Sequence, residues 1–261
     1  MEPFRSRLIA REPCLGTVVT LPDVALAELS ASAVHFVWID LEHGALGAAE
    51  VQPLAIAVRA ARAASLVRLG PGSHAAIGAA LDAGVDGVVV PRVDTALEAA
   101  RVVERLHHPP RGSRGSATRR NSDYGRAPGS GQRPVCMVQV ESVAAVEEAE
   151  AIAAVDGVDA LVVGCADLAL AIGDGADPSS DRFREAVTEV QRAAEGAGIA
   201  SGIAGAHDPA LLAELASGRS TVLVLAADIR IYAQALDAGM GQLRRELALR
   251  APEQKESHVS T

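Results

Sequence analysis

The chain has 261 residues, of which 49% are hydrophobic but only 2% aromatic, and 24 Lys and Arg stand against 33 Asp and Glu for a net charge of −9. That length suits one (β/α)8 barrel, which takes ~250 residues. The acidic balance is the wrong sign for a phosphate-backbone partner and the few aromatics cannot build base-stacking platforms, so no nucleic-acid partner is expected.

In chain order, short Val- and Ile-rich runs alternate with Ala-rich segments of helical period, the βα rhythm of a parallel sheet. Strands are predicted at Leu15–Thr20, Val34–Leu41, Ser65–Leu69, Gly87–Val93, Val135–Glu141, Ala160–Gly164, Ile199–Ile203 and Thr221–Ala226. Helices are predicted at Asp23–Ser30, Ala48–Ala63, His74–Ala83, Thr95–His107, Val143–Val155, Arg182–Ala197, Pro209–Ser217 and Ile229–Leu249. Asp94, Ser142, Asp181 and Asp208 are N-cap candidates, and Gly84 and Gly198 are candidate stops. The pattern predicts an α/β fold, a single (β/α)8 TIM barrel over residues 1–250, with a polar, disordered tail over 251–261. One long irregular stretch, His108–Pro134, carries Arg111, Arg114, Arg119, Arg120, Arg126 and Arg133 against Asp123 alone. A solvated or subunit-contacting loop and a role at the active site are both open for it.

Asp159 and Asp167 interrupt the longest apolar run, and the charged start Met1–Pro13 lacks the core of a secretory signal. A cytoplasmic protein without a membrane partner is therefore expected. Cys14, Cys136 and Cys165 are odd in number and form no CxxC pair, which argues against a disulfide framework and a structural zinc site. The one lysine, Lys255, lies in the polar tail, so neither a Schiff base in a pocket nor a phosphate-binding Gly-Lys-Ser/Thr loop is available.

Barrel enzymes place their reactive groups at the C-terminal ends of strands. Four predicted ends stand out: Asp40-Leu41-Glu42-His43, Val67-Arg68, Gln139-Val140-Glu141 and Gly164-Cys165-Ala166-Asp167. Glu141 and Asp167 come from adjacent strands, and two carboxylates without a thiolate or imidazole cluster suit a hard cation such as Mg2+ or Mn2+. Each has a structural alternative, Glu141 as a helix cap and Asp167 as a partner of loop amides. His43 follows two acids that can set its tautomer and raise its pKa, as a general base requires. Arg68 is placed to bind an anionic substrate oxygen, with an ordinary ion pair as the alternative. His35, His107 and His108 lack such company and read as structural.

These strand ends, in this order, resemble the HpcH/HpaI family of metal-dependent aldolases. The matching pieces are Trp38-Ile39-Asp40-Leu41-Glu42-His43, Val67-Arg68, Leu81-Asp82-Ala83-Gly84 and Val89-Val90-Pro91-Arg92-Val93, then Arg114-Gly115, Val138-Gln139-Val140-Glu141, Gly157-Val158-Asp159-Ala160 and Gly164-Cys165-Ala166-Asp167-Leu168 with Gly173. They span nearly the whole chain. The resemblance implies a divalent-metal aldolase that cleaves or forms 4-hydroxy-2-oxo acids, giving pyruvate or a close 2-oxo acid and an aldehyde. By the same analogy Glu141 and Asp167 ligate Mg2+ or Mn2+, with Co2+ or Zn2+ as further options. Arg68 stabilises the enolate, Gln139 lies on the substrate side, and backbone amides near Ala166 and Asp167 receive the substrate carboxylate. His43 is the base, partnered by an aspartate of a neighbouring subunit at the position of Asp82, in a homo-oligomer, trimer or hexamer, whose last helix packs on a neighbour. The chain departs from the family pattern at Cys165 and Ala169 and in a shorter segment after Arg114-Gly115. Cys165 is either a softer metal ligand or a buried bystander. Two rival functions are an acyl-CoA lyase of the citrate-lyase β or malyl-CoA type, which would give the arginine-rich loop a phosphate to bind, and a non-catalytic barrel scaffold.

Overall fold

The computed structural model describes residues 4–70, 72–127, 133–173, 175 and 177–250. Eight parallel strands close into a barrel in the order β1 to β8: β1 (Cys14–Val19), β2 (Phe36–Asp40), β3 (Ala64–Arg68), β4 (Gly87–Val90), β5 (Val135–Val140), β6 (Ala160–Gly164), β7 (Ala200–Ala204) and β8 (Val222–Ala227). Most are buried along their whole length, as strands with helices outside and a packed barrel inside must be. The helices are α1 (Phe4–Ile9), α2 (Val24–Ala31), α3 (Ala48–Ala60), α4 (Ile77–Asp82), α5 (Ala96–Leu106), α6 (Val143–Glu147), α7 (Ala149–Ala153), α8 (Cys165–Ile172), α9 (Asp181–Ala197), α10 (Pro209–Ala216) and α11 (Asp228–Leu249).

The barrel interior is widest in side chain at its N-terminal half. Phe36 and Trp38 fill it, and their bulk is accommodated by Gly16 across the β1–β2 pair, where a Cβ would lie 2.3 Å from the Phe36 ring. Below them α1 presses Phe4 and Leu8 into the mouth, with the Phe4 ring 5.1 Å from Phe36. A second apolar layer, dominated by Val, Leu, Ile and Ala, packs the outer strand faces against the helices. This is how a barrel is made with few aromatics.

Three elements were not expected, α1, α8 and a 3-10 segment over Arg120–Gly125, and two expected helices are interrupted. The segment His74–Ala83 is a 3-10 turn followed by α4, and Val143–Val155 divides at Glu148, where ψ is 4°. Ser142 and Asp208 cap as expected, but two caps move by one residue. Thr95, not Asp94, accepts the Glu98 amide at 3.2 Å, because the Asp94 carboxylate is taken by the Ser142 hydroxyl at 2.6 Å. Ser180, not Asp181, accepts from Phe183. Gly198 closes α9 at φ 71°.

The chain divides into two compact units, Met1–Asp228 and Ile229–Thr261. In the second, the described part of α11 exposes Tyr232, Leu236, Met240, Leu243 and Leu247, spaced at three and four residues as one helical stripe. The expected disordered tail, 251–261 with Lys255, lies outside the described residues. No helix among the described residues is long and apolar enough to cross a membrane.

Candidate active site

The C-terminal ends of β2, β3, β5 and β6 bring most of the expected residues together. Asp40 and Arg68 are direct neighbours in the parallel register of β2 and β3. The register converts into a bidentate ion pair: Arg68 Nε donates to Asp40 Oδ1 at 2.9 Å and Nη2 to Oδ2 at 2.6 Å. Asp40, almost fully buried, also accepts the amides of Glu42 at 3.0 Å and His43 at 3.4 Å, so one carboxylate fixes both the arginine and the turn that presents the imidazole. The third guanidinium nitrogen, Nη1, lies 3.4 Å from Glu42 Oε2. Burial works against the charge of Arg68, but Asp40, then Glu42 and Glu141, outweigh it and raise its pKa.

Glu42 is buried, and its Oε2 lies 3.8 Å from His43 Nε2 while His43 itself is open to solvent. Burial pushes the Glu42 pKa up, against the pull of Arg68 and His43.

Glu141 follows β5 and is buried. Its Oε1 accepts from Gln139 Nε2 at 2.8 Å and its Oε2 from the Arg92 amide at 3.3 Å. The side chain fits only because residue 164 is glycine, since a Cβ there would stand 2.5 Å from Glu141 Oε1. Burial, then repulsion from Glu42 and Asp167, raises its pKa to about 7. It does not cap the following helix; Ser142 does. Asp167 sits in the first turn of α8, with its side chain 39% exposed and 3.8 Å from Arg92 Nη2. Gly164 begins α8 without a side-chain cap, so the amides of Cys165, Ala166 and Asp167 have no capping side chain and form a ready site for a carboxylate.

Glu42, Glu141 and Asp167 therefore form an acidic cluster with Arg68 at its edge. Among the described residues the buried Gln139 Oε1 has no hydrogen-bond partner, and Glu42 Oε2 has only the longer ion-pair contacts to Arg68 and His43. An unmet buried acceptor among mutually repelling carboxylates fits a hard divalent cation. Among the described residues no group of three or more His, Cys, Asp and Glu side chains forms a metal cage, so Glu141 and Asp167 would leave other coordination positions open. Cys165 belongs to the apolar layer under α8, and burial pushes its thiol up to about 12, as the bystander alternative requires. Cys14 and Cys136 are likewise buried and free.

Asp82 is not brought to this cluster. It ends α4 and is bound in its own chain by Arg114 Nη2 at 2.7 Å and Asn121 Nδ2 at 3.3 Å. Nor does the described part of the arginine-rich loop cover the site: Arg114, Arg120 and Arg133 lie at the other end of the barrel, beside the starts of the strands. The sequence reading passed over Asp40 and Glu42 as site members, although both stand at a strand end. It also passed over Arg92, whose φ of 54° turns its amide onto Glu141 and its guanidinium toward Asp167.

Residues 22–230 match the family model described as HpcH/HpaI aldolase/citrate lyase. The chain belongs to this family. It is accordingly a carbon–carbon lyase of the aldolase type. The hydroxypyruvate/pyruvate aldolase of Cupriavidus necator is 34% identical over 241 residues, 89% of each chain. The 4-hydroxy-2-oxovalerate aldolase of Rhodococcus jostii is 34% identical over 207 residues, covering 77% of this chain and 80% of its own. A solved HpcH/HpaI aldolase/citrate lyase family protein from Burkholderia cenocepacia superposes with a TM-score of 0.88 at 29% identity, over 94% of this chain and all of the other.

Proposed function

We propose that this HpcH/HpaI enzyme is a divalent-metal-dependent aldolase that cleaves or forms 4-hydroxy-2-oxo acids, releasing pyruvate or a close 2-oxo acid and an aldehyde. The observation that carries the reading is the buried Glu141 beside Asp167, with Arg68 fixed by Asp40 at the edge of the same cluster. Dependence on a divalent metal is general in family aldolases, and Glu141 and Asp167 would hold Mg2+ or Mn2+. Bound there, the ion supplies Lewis acidity toward the oxygens of a 2-oxo acid.

The protein's own groups account for the rest of the reaction. The uncapped amides at Ala166 and Asp167 receive the substrate carboxylate. His43 takes the proton of the 4-hydroxyl, the C3–C4 bond breaks, the aldehyde leaves, and the electron pair passes to an enolate that is then protonated at C3. Arg68 Nη1, the guanidinium nitrogen not bound to Asp40, meets the charge that grows on the enolate oxygen. Glu42 steadies the imidazolium that His43 becomes.

Asp82 is offered to the His43 of a second subunit. Its position at the end of α4, away from its own His43, and the exposed apolar stripe of α11 support a homo-oligomer with shared sites. Mixing inactive His43→Ala with inactive Asp82→Asn protein after dissociation should restore part of the activity; no recovery in verified mixed oligomers removes the shared site.

The decisive experiment is an aldol-cleavage panel over several 4-hydroxy-2-oxo acids, run with EDTA and with metals added back. Turnover that disappears with EDTA and returns with Mn2+ or Mg2+ is expected. Undiminished turnover in metal-stripped enzyme overturns the reading, and acyl-CoA cleavage in place of aldol cleavage moves the protein to the CoA-lyase class.

A further inference from the structure

The opposite mouth of the barrel holds a cleft of about 800 Å³ that the aldol chemistry does not use. It is bordered by His35, Ala64, Asp86 and Pro134, which stand at or just before the starts of β2, β3, β4 and β5. Six arginines line it: Arg7, Arg59, Arg62, Arg114, Arg120 and Arg133. Among the described lining residues Asp86 is the one carboxylate. Its lining also includes the buried apolar side chains of Phe4, Leu81 and Leu106.

Four of the six arginines have carboxylate partners, Arg7 with Glu12 at 3.3 Å and Arg114 with Asp82 at 2.7 Å, and Arg59 and Arg133 more loosely. Asp86 Oδ2 accepts the Ser65 amide at 2.8 Å, and its Oδ1 lies 3.7 Å from Arg59. Arg133 is 3.9 Å from both Asp156 and Asp159, at the limit of an ion pair. Arg62 and Arg120 have no carboxylate within ion-pair distance among the described residues. Four buried donors or ring nitrogens find no hydrogen-bond partner: Arg114 Nε, Arg120 Nη1, Arg133 Nε and His107 Nε2. The Arg114 side chain is only 7% exposed. Burial, then repulsion from Arg59, lowers the pKa of Arg120.

A solvated basic face keeps its donors in water. Arg59 and Arg62 are exposed, but Arg120 Nη1, Arg114 Nε and Arg133 Nε are withdrawn from water without an acceptor among the described residues, which is costly unless a ligand supplies one. An oxyanion with several acceptor oxygens suits a group of planar guanidinium forks, and the volume and apolar lining leave room for a carbon skeleton. We propose that this cleft binds a small phosphorylated molecule, its phosphate held by Arg120 and Arg62, the two lining arginines without a carboxylate partner among the described residues. The site is separated from the catalytic mouth by the Phe36 and Trp38 rings, and it gives the arginine-rich loop a role that the aldolase reading does not absorb.

Isothermal titration of the Mg2+-loaded full-length enzyme at constant ionic strength tests this, with inorganic phosphate and glycerol 3-phosphate as probes and glycerol and chloride as blanks. Saturable binding of both phosphates is expected, with the Kd weakened at least about tenfold in Arg120→Gln and in Arg62→Gln and unchanged by saturating pyruvate. Aldolase kcat measured without phosphate should be the same in both variants as in the wild type. Tighter binding of glycerol 3-phosphate supports a carbon skeleton against the apolar lining, whereas equal affinities support the phosphate site with the free ion as occupant. Displacement of phosphate by pyruvate, equal affinity in both arginine variants, or no saturable heat at millimolar phosphate overturns the proposal.

Discussion

The two mouths of this barrel carry opposite charge. At the C-terminal mouth Glu42, Glu141 and Asp167 repel one another beside Arg68, and the buried Gln139 Oε1 lacks a donor among the described residues. At the N-terminal mouth arginines surround Asp86, and buried donors lack acceptors. Like charges gather at each mouth, and the rings of Phe36 and Trp38 lie between them. Structural ion pairs in the same molecule look different: Arg68 with Asp40, or Arg219 with Glu195, closes on a partner at short range. An imbalance left open, as opposed to a charge as such, marks where a ligand belongs.

The sharpest way to break this comparison is at the acidic mouth. Glu141→Ala and Asp167→Ala should each lower turnover by more than the roughly 100-fold typical of losing a group behind a metal ligand, while thermal unfolding stays cooperative. Steady-state kinetics with a melting curve check it, and full activity in either variant would remove the assignment.

Arg68→Ala should reduce kcat roughly 10²- to 10³-fold, more than it raises KM, since its charge is needed as the enolate forms. It also strips the buried Asp40 of its bidentate partner, so urea unfolding should show a loss of about 3–5 kcal/mol. A raised KM with unchanged kcat would make Arg68 a simple anchor.

A smaller effect, roughly 10- to 100-fold in kcat, is expected of Gly164→Ala. The added methyl displaces Glu141 without altering any group that touches substrate. Its metal affinity, measured by titration, should fall in parallel; normal kcat and affinity would show that Glu141 has slack. The smallest expected effect is none: borohydride with pyruvate should neither label nor inactivate the enzyme. Trapping at Lys255, the one lysine, would replace metal chemistry by a Schiff base.

The barrel was legible because parallel strands buried on both faces appear as unbroken Val and Ile runs, and the residues at their ends are then placed by direction alone. Glu141, Asp167, Arg68 and His43 were chosen as candidates in this way, and the fold brings them to the same mouth. The six residues of α1 are too few to set a period, with Phe4 and Leu8 as its one buried pair, and the eight of α8 follow the apolar run of β6 directly, so neither was legible as a helix. The Asp40–Arg68 pair depends on strand register, and the place of Arg92 on a left-handed backbone turn, which single-residue preferences do not encode. Nothing in the composition of the arginine-rich loop says at which end of the barrel it lies.

The burial of the cysteines has a consequence for durability. Aldehydes are electrophiles that modify amines and thiolates, and an enzyme that releases them is its own nearest target. Cys14, Cys136 and Cys165 are enclosed with their pKa values raised, and no lysine stands within the described barrel. Its positive charge is carried there by guanidinium groups, which stay protonated and are poor nucleophiles. The molecule therefore performs carbonyl chemistry while offering its product almost nothing to react with.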